Sequence, residues 1–207
     1  MGLANNHSLD FGDDALEDCA ARLFREHVQP IGAGKAGSPD SAPNFFSVSG
    51  KKMAVLAISD VGPAASGQVA AASARAGLSA AIASARSQAN FVACLVHWGT
   101  ENSERITDAQ RELGRWLVDH GVDLVVGSHP HCVQPLDFYH GRAIAYSLGN
   151  LVFDGAPTVD SWNRGALLEI GLNENAQASS ARLIPIVLED GFPQLDASPQ
   201  QKIFGTR

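Results

Sequence analysis

Three short stretches of this 207-residue chain carry side chains that bind metals or move protons. In VVGSHPH an apolar run breaks at Gly127, and His129 and His131 follow with only Pro130 between them. In LVHWGTE an apolar run of strand length ends on His97, Trp98 and Gly99. Near the start, LANNHSLDFG groups the amides Asn5 and Asn6, the imidazole His7 and the carboxylate Asp10. Imidazole is the commonest protein ligand for transition metals and the side chain best matched to proton exchange near neutral pH. Taken singly, each histidine reads as a buried ring bonded to backbone or as a loop residue, and NNH reads as a turn or cap. Three imidazoles at two successive strand ends read instead as metal ligands. Pre-proline His129 is expected to be extended, so that His129 and His131 face one ion or two adjacent ions. Asp10 and Gly12 read as a helix entrance, and Trp98 as a core aromatic.

The elements that must position these groups follow from periodicity. Asp13 to His27 places Leu16, Cys19, Ala20, Leu23 and Phe24 on one helical face, with acidic residues in the first turn. A Gly/Ser/Pro-rich loop, Gly34 to Pro43, leads into NFFSVS and MAVLAIS, two strands joined at Gly50-Lys51. Residues 64–89 are rich in Ala, Ser and Gly, with a helix expected around Leu78 to Arg86. NFVACLV is a buried strand, Thr107 and Gln110 form a capping box for a helix that Gly121 stops, and VDLVVG is the next strand. If those two strands are parallel neighbours, both histidine loops leave the same sheet edge. PLDFY and RAIAYS around His140-Gly141, then GALLEIGL and ARLIPIVL, make the second half β-rich.

Composition narrows the class. The chain is 45% hydrophobic and 18% charged, ordinary for a globular protein. Its 15 basic and 22 acidic residues give a net charge of -7 without a basic cluster, which argues against nucleic acid as a partner. The three cysteines have no CxxC spacing; Cys19 and Cys94 read as core thiols, and Cys132 as a packing thiol rather than a ligand. No apolar run reaches the length of a membrane span, and the start lacks a signal-peptide pattern. The length fits one domain over 1–207, with a motif-bearing core at 3–154 and a β-rich part at 155–207.

LANNHSLDFG with its trailing QPIGAG, LVHWGTE, and DLVVGSHPHCVQPLDFYHGRAIAYSLGNLVFD together resemble the CapA (poly-γ-glutamate capsule synthesis) family, whose fold is similar to the calcineurin-like metallophosphoesterases. The resemblance implies a mixed-sheet αββα sandwich and a site for two divalent metal ions, Mn, Fe or Zn. It assigns metal ligation to Asn6, His97, His129 and His131, and the role of leaving-group proton donor to His7. Glu101 and Asn150 fall within family motifs and are expected to contact substrate. Family members open on a strand whose GD-type motif supplies aspartate ligands; nothing before Asn5 matches it, so a sandwich lacking that strand, with weakened metal affinity, is expected. The implied function is capsule biosynthesis at the bacterial cell envelope, with phosphoesterase-type hydrolysis and an anionic polymer or phosphoester as substrate. The alternatives are a non-catalytic protein that binds or anchors an anionic polymer, and a degenerate family member.

Overall fold

The long apolar runs form the inner strands. The structure, a computed structural model, describes residues 1–33, 42–62, 69–153 and 160–196. Most of the Gly34–Pro43 loop, residues 64–68 of the alanine-rich stretch, and Asp154 with the residues to 159 lie outside them, as do residues 197–207. The fold is mixed α/β, and the chain divides into two units, residues 1–98 with 119–122, and residues 99–118 with 123–207.

In the first unit, β1 (Asn44–Val48) and β2 (Lys51–Ser59) form the expected antiparallel hairpin, and β3 (Phe91–His97) lies parallel to β2. Phe91 to Cys94 of β3 are all buried, as a strand covered on both faces requires. The crossover from β2 to β3 contains α2 (Arg75–Gln88), whose Leu78, Ile82 and Ala85 are buried. The first helix, α1 (Asp13–Arg25), starts after Gly12, with Asp13 and Asp14 in its first turn and Arg22 and Arg25 in its last, charges that complement the helix dipole. Its Leu16 is buried in a cluster with Leu3, Ala4, Ile31, Ala57 and Val69, against which Ala20 and Leu23 also pack.

Two expectations for α1 are corrected. Cys19 is exposed rather than a core thiol, and Phe24 is 67% exposed. At 3.6 residues per turn they lie roughly 60° and 80° to either side of Leu16, beyond the narrow stripe Leu16–Ala20–Leu23 that meets the core. Cys94 is buried as expected, and burial pushes its thiol up to about 12.

In the second unit, α3 runs over Asp108–Asp119, and its capping box is formed: Thr107 N donates to Gln110 Oε1 at 3.0 Å and Gln110 N donates to Thr107 Oγ1 at 3.1 Å. β4 (Leu124–Ser128) pairs parallel with β6 (Arg142–Leu148), which pairs antiparallel with β5 (Val133–Tyr139) across the His140-Gly141 turn. A second, antiparallel sheet follows in the order β7 (Arg164–Leu172), β8 (Ala178–Glu189), β9 (Phe192–Leu195). Among the described residues no helix is long and apolar enough to cross a membrane.

Candidate functional site

The sheet of the first unit delivers His97 to a strand end and the turn after Ala4 delivers Asn6 and His7. Ser59 and His97 close β2 and β3 as register partners, and Asp60 N donates to the His97 carbonyl at 2.8 Å. The chain then turns back over Asn6 at Gly62, where a Cβ would lie 2.6 Å from the Asn6 Cα and φ is +93°, so a side chain there would displace Asn6. The NNH turn is fixed by its own polar atoms: His7 N donates to Asn5 Oδ1 at 2.8 Å, and Asn5 N donates to Ser8 Oγ at 3.2 Å.

Four side chains then form one directed chain. His97 Nε2 lies 2.8 Å from Asn6 Oδ1, Asn6 Nδ2 lies 3.2 Å from His7 Nε2, and His7 Nδ1 lies 2.8 Å from Asp10 Oδ2. One assignment satisfies every link: His97 Nε2–H donates to Asn6, the Asn6 amide donates to His7 Nε2, and His7 Nδ1–H donates to the Asp10 carboxylate. Asp10 thus holds the neutral His7 ring in the tautomer whose Nε2 lone pair accepts from the Asn6 amide. His7 is exposed and Asn6 partly buried. Asp10, read from sequence as part of a helix entrance, is therefore a site residue, and its position three after His7 in a tight turn was the available signal.

In the second unit the histidine loop is not extended. His129 has φ +100° and His131 has φ +58°, conformations that cost on the order of 1–3 kcal/mol each and are held by surrounding structure. The expectation that Pro130 keeps His129 extended, with His129 and His131 facing the same way, is corrected: the loop turns at both residues, and the rings lie 6.4 Å apart with planes 55° apart. His129 is 9% exposed and His131 half-buried. The constraint comes partly from Asn102, whose N–H donates to the Pro130 carbonyl at 2.9 Å, and from burial of Cys132 directly after the pair. Burial raises the Cys132 thiol and Glu104 adds to the effect, consistent with a packing thiol.

His131 has a fixed tautomer. Its Nδ1 lies 2.9 Å from Asn150 Oδ1, and Asn150 Nδ2 donates to the Trp162 carbonyl at 3.0 Å, so the amide oxygen faces the imidazole and Nδ1 carries the proton. That leaves His131 Nε2 as a lone-pair donor, the arrangement in which ligating histidines are held by an outer hydrogen bond. The Trp162 ring stacks on His131 at 4.7 Å, Phe153 meets His131 edge-on at 5.5 Å, and Trp162 Nε1 donates to Asn102 Oδ1. Trp162, Phe153 and Asn102 were not singled out from sequence; Trp162 lies in a stretch without periodicity, where nothing marks it. Glu101 is exposed on the loop that precedes α3, next to Asn102.

Asn6 Oδ1 and His97 Nε2 stand 2.8 Å apart, the distance of the hydrogen bond between them. Asn6 Oδ1 and His131 Nε2 are donor atoms of the type a transition metal takes, and His97 Nε2 becomes one in the tautomer that leaves it unprotonated, which breaks its hydrogen bond to Asn6. Among the described residues, no group of three or more His, Cys, Asp or Glu is placed to hold an ion.

Comparison with known proteins accords with the fold and motifs. Residues 1–155 match the family model for the bacterial capsule synthesis protein PGA_cap. The chain is 32% identical over 206 residues to the PGA biosynthesis protein CapA of Bacillus subtilis, covering 93% of this chain and 52% of that one. It is 30% identical over 208 residues to the capsule biosynthesis protein CapA of Bacillus anthracis, covering 94% of this chain and 49% of that one. The chain spans about half the length of these relatives. Among solved structures, it is similar to a candidate 5'-nucleotidase of Staphylococcus aureus, with TM-score 0.60, 16% identity, and coverage of 93% of this chain and 39% of that one. A second is the NAD nucleotidase of Haemophilus influenzae, with TM-score 0.52, 16% identity, and coverage of 97% and 42%. These likenesses give the fold, a metallophosphoesterase-like one, and the sequence match gives the family: the chain belongs to the bacterial capsule synthesis family PGA_cap, with CapA among its relatives.

Proposed function

We propose that this chain carries the hydrolytic site of a CapA-like protein of poly-γ-glutamate capsule biosynthesis, and that the site cleaves a phosphoester-type bond with the help of divalent metal. The observation that carries the reading is the directed chain from His97 through Asn6 and His7 to Asp10. A structural turn needs a satisfied Asn6, but not an exposed imidazole whose far nitrogen is anchored on a carboxylate. That combination suits an acid–base group, because Asp10 orients the ring while the other nitrogen, which meets the Asn6 amide at 3.2 Å, lies on an exposed side chain where substrate can take over that contact.

Asn6, His97, His129 and His131 are the residues that would hold metal. When bound, a divalent ion polarises the ester oxygen and lowers the pKa of water so that it attacks near neutral pH. His7 in its imidazolium form then has one task, to give the Nε2 proton to the departing oxygen and so return to the neutral ring, while Asp10 accepts from Nδ1–H and holds the ring in place. Asn6 links the two functions, since its oxygen faces His97 and its amide nitrogen faces His7. Asn150 acts on His131 from behind, fixing its tautomer.

The test is hydrolysis of bis(4-nitrophenyl) phosphate by the whole chain with added Mn2+, set against the His7→Ala variant. The expected result is metal-dependent turnover that falls about 100-fold or more in the variant. Turnover unchanged by His7→Ala would remove His7 from the proton-transfer role, and no turnover with any of Mn2+, Zn2+ or Fe2+ would remove the hydrolase reading.

A further inference from the structure

Beside His7 the NNH turn and α1 leave a hollow of about 290 Å³. Leu3 and Leu16, 7% and 4% exposed, are buried hydrophobics in its lining. Ala15 and Phe11 also line it, Phe11 being 89% exposed, while Asn5, His7, Ser8 and Cys19 contribute a polar edge in which Asn5 and Ser8 are already bonded to each other. A cavity of about 150 Å³ with apolar walls takes up benzene, so this one has room for a ring with substituents. Its surroundings select against anions: Asp10 holds His7, and Asp13 and Asp14 occupy the first turn of α1. A carboxylate placed here would lose hydration and would meet no lysine or arginine in the lining, only His7, whose charge Asp10 already offsets.

We propose that this hollow binds an apolar, ring-sized group, the part of the substrate that departs beside His7. The inference rests on the hydrolase reading for the word "departs", while binding of the ring stands on the pocket itself. The leaving portion then carries an aryl or comparable apolar group in preference to a carboxylate. Seating it against Leu3, Leu16 and Phe11 places its ester oxygen on the His7 side, the same ring that Asp10 orients. Binding energy from a non-reacting group thus aligns the leaving oxygen with its proton donor.

Cys19 reports occupancy without any need for turnover or metal. It is exposed and lines the hollow, whereas Cys94 and Cys132 are buried, so iodoacetamide reads one thiol in the folded chain. The experiment measures the rate of Cys19 alkylation by peptide mass spectrometry with phenol, or with methanol at the same concentration. Phenol should slow alkylation by about tenfold once its concentration is about ten times its dissociation constant, and methanol should not. Ala15→Trp, an exposed helical position, should fill the hollow and abolish the dependence on phenol; Phe11→Ala should weaken it. Equal effects of phenol and methanol, or a phenol dependence that survives both substitutions, would overturn the proposal. Protection of Cys19 in a chain that hydrolyses nothing would leave the pocket standing and remove the hydrolase reading; hydrolysis without protection would do the reverse.

Discussion

The loop that carries Glu101 and Asn102 hangs on two buried glutamines, and replacing one of them, Gln110→Leu, has a calculable cost. Gln110 and Gln134 are each 1% exposed. Gln110 Oε1 accepts from Thr107 N at 3.0 Å, and its Nε2 donates to Gln134 Oε1 at 2.9 Å. Gln134 Nε2 in turn donates to the carbonyls of Ser103 at 2.8 Å and Arg105 at 3.2 Å. Leucine keeps most of the volume but removes one half of the capping box, about 1 kcal/mol, and strips a buried amide oxygen of its donor, about 1–3 kcal/mol. The expected loss is therefore about 2–4 kcal/mol. In urea, with a slope of about 2 kcal/mol/M for a chain of this size, the midpoint should fall by about 1–2 M with the slope unchanged. Equilibrium unfolding followed by circular dichroism and by tryptophan fluorescence reads this directly. A fall below about 0.5 kcal/mol would refute the argument that the pair organises the loop. The Gln110→Leu/Gln134→Leu double variant should lose less than the sum of the singles, because each single change orphans the other side chain.

Asp10→Ala should lower turnover about 10- to 100-fold and cost nothing further in a His7→Ala background, since the two act as one unit; steady-state kinetics of the four proteins decide this. Gly165→Ala should destabilise the chain by about 3 kcal/mol, because its Cβ would lie 2.0 Å from the Asn150 carbonyl; a thermal midpoint within a degree of wild type would contradict it. Asp60 gives a pH prediction. Desolvation raises its carboxyl against the opposing pull of Arg75, so the folded chain favours the protonated form; that contribution is complete below the unfolded carboxyl value and is lost as pH rises through the higher folded value. Asp60→Asn should accordingly stabilise the chain at pH 7 and make no difference near pH 3, measured by unfolding at both.

The sequence made the element order legible because its apolar runs had the right lengths and their ends carried real stops: the Thr107/Gln110 box, Gly121 and the His140-Gly141 turn all act as their chemistry requires. Periodicity failed where a narrow contact stripe mattered more than overall apolarity, as at Cys19 and Phe24 of α1. The histidine loop was legible as chemistry but not as conformation. Pro130 biases His129 toward an extended backbone by about a local preference, and the tertiary hold of Asn102 on the Pro130 carbonyl accompanies a positive φ on both sides of the proline. Side chains that orient others were the hardest to see: Asp10 was hidden by its equally good fit to a helix start, and Trp162 meets His131 from 31 positions away in the chain with no pattern to announce it.

The claim that Asn6, His97, His129 and His131 hold metal is open to a measurement that needs no substrate: elemental analysis of the purified chain after incubation with Mn2+ or Zn2+ and removal of excess, beside the His129→Ala/His131→Ala variant. Metal bound in a fixed ratio to protein and a clear loss in the variant are expected, with both proteins showing the same far-ultraviolet circular dichroism. Metal at background in the wild-type chain, or the same metal content in both, would contradict it.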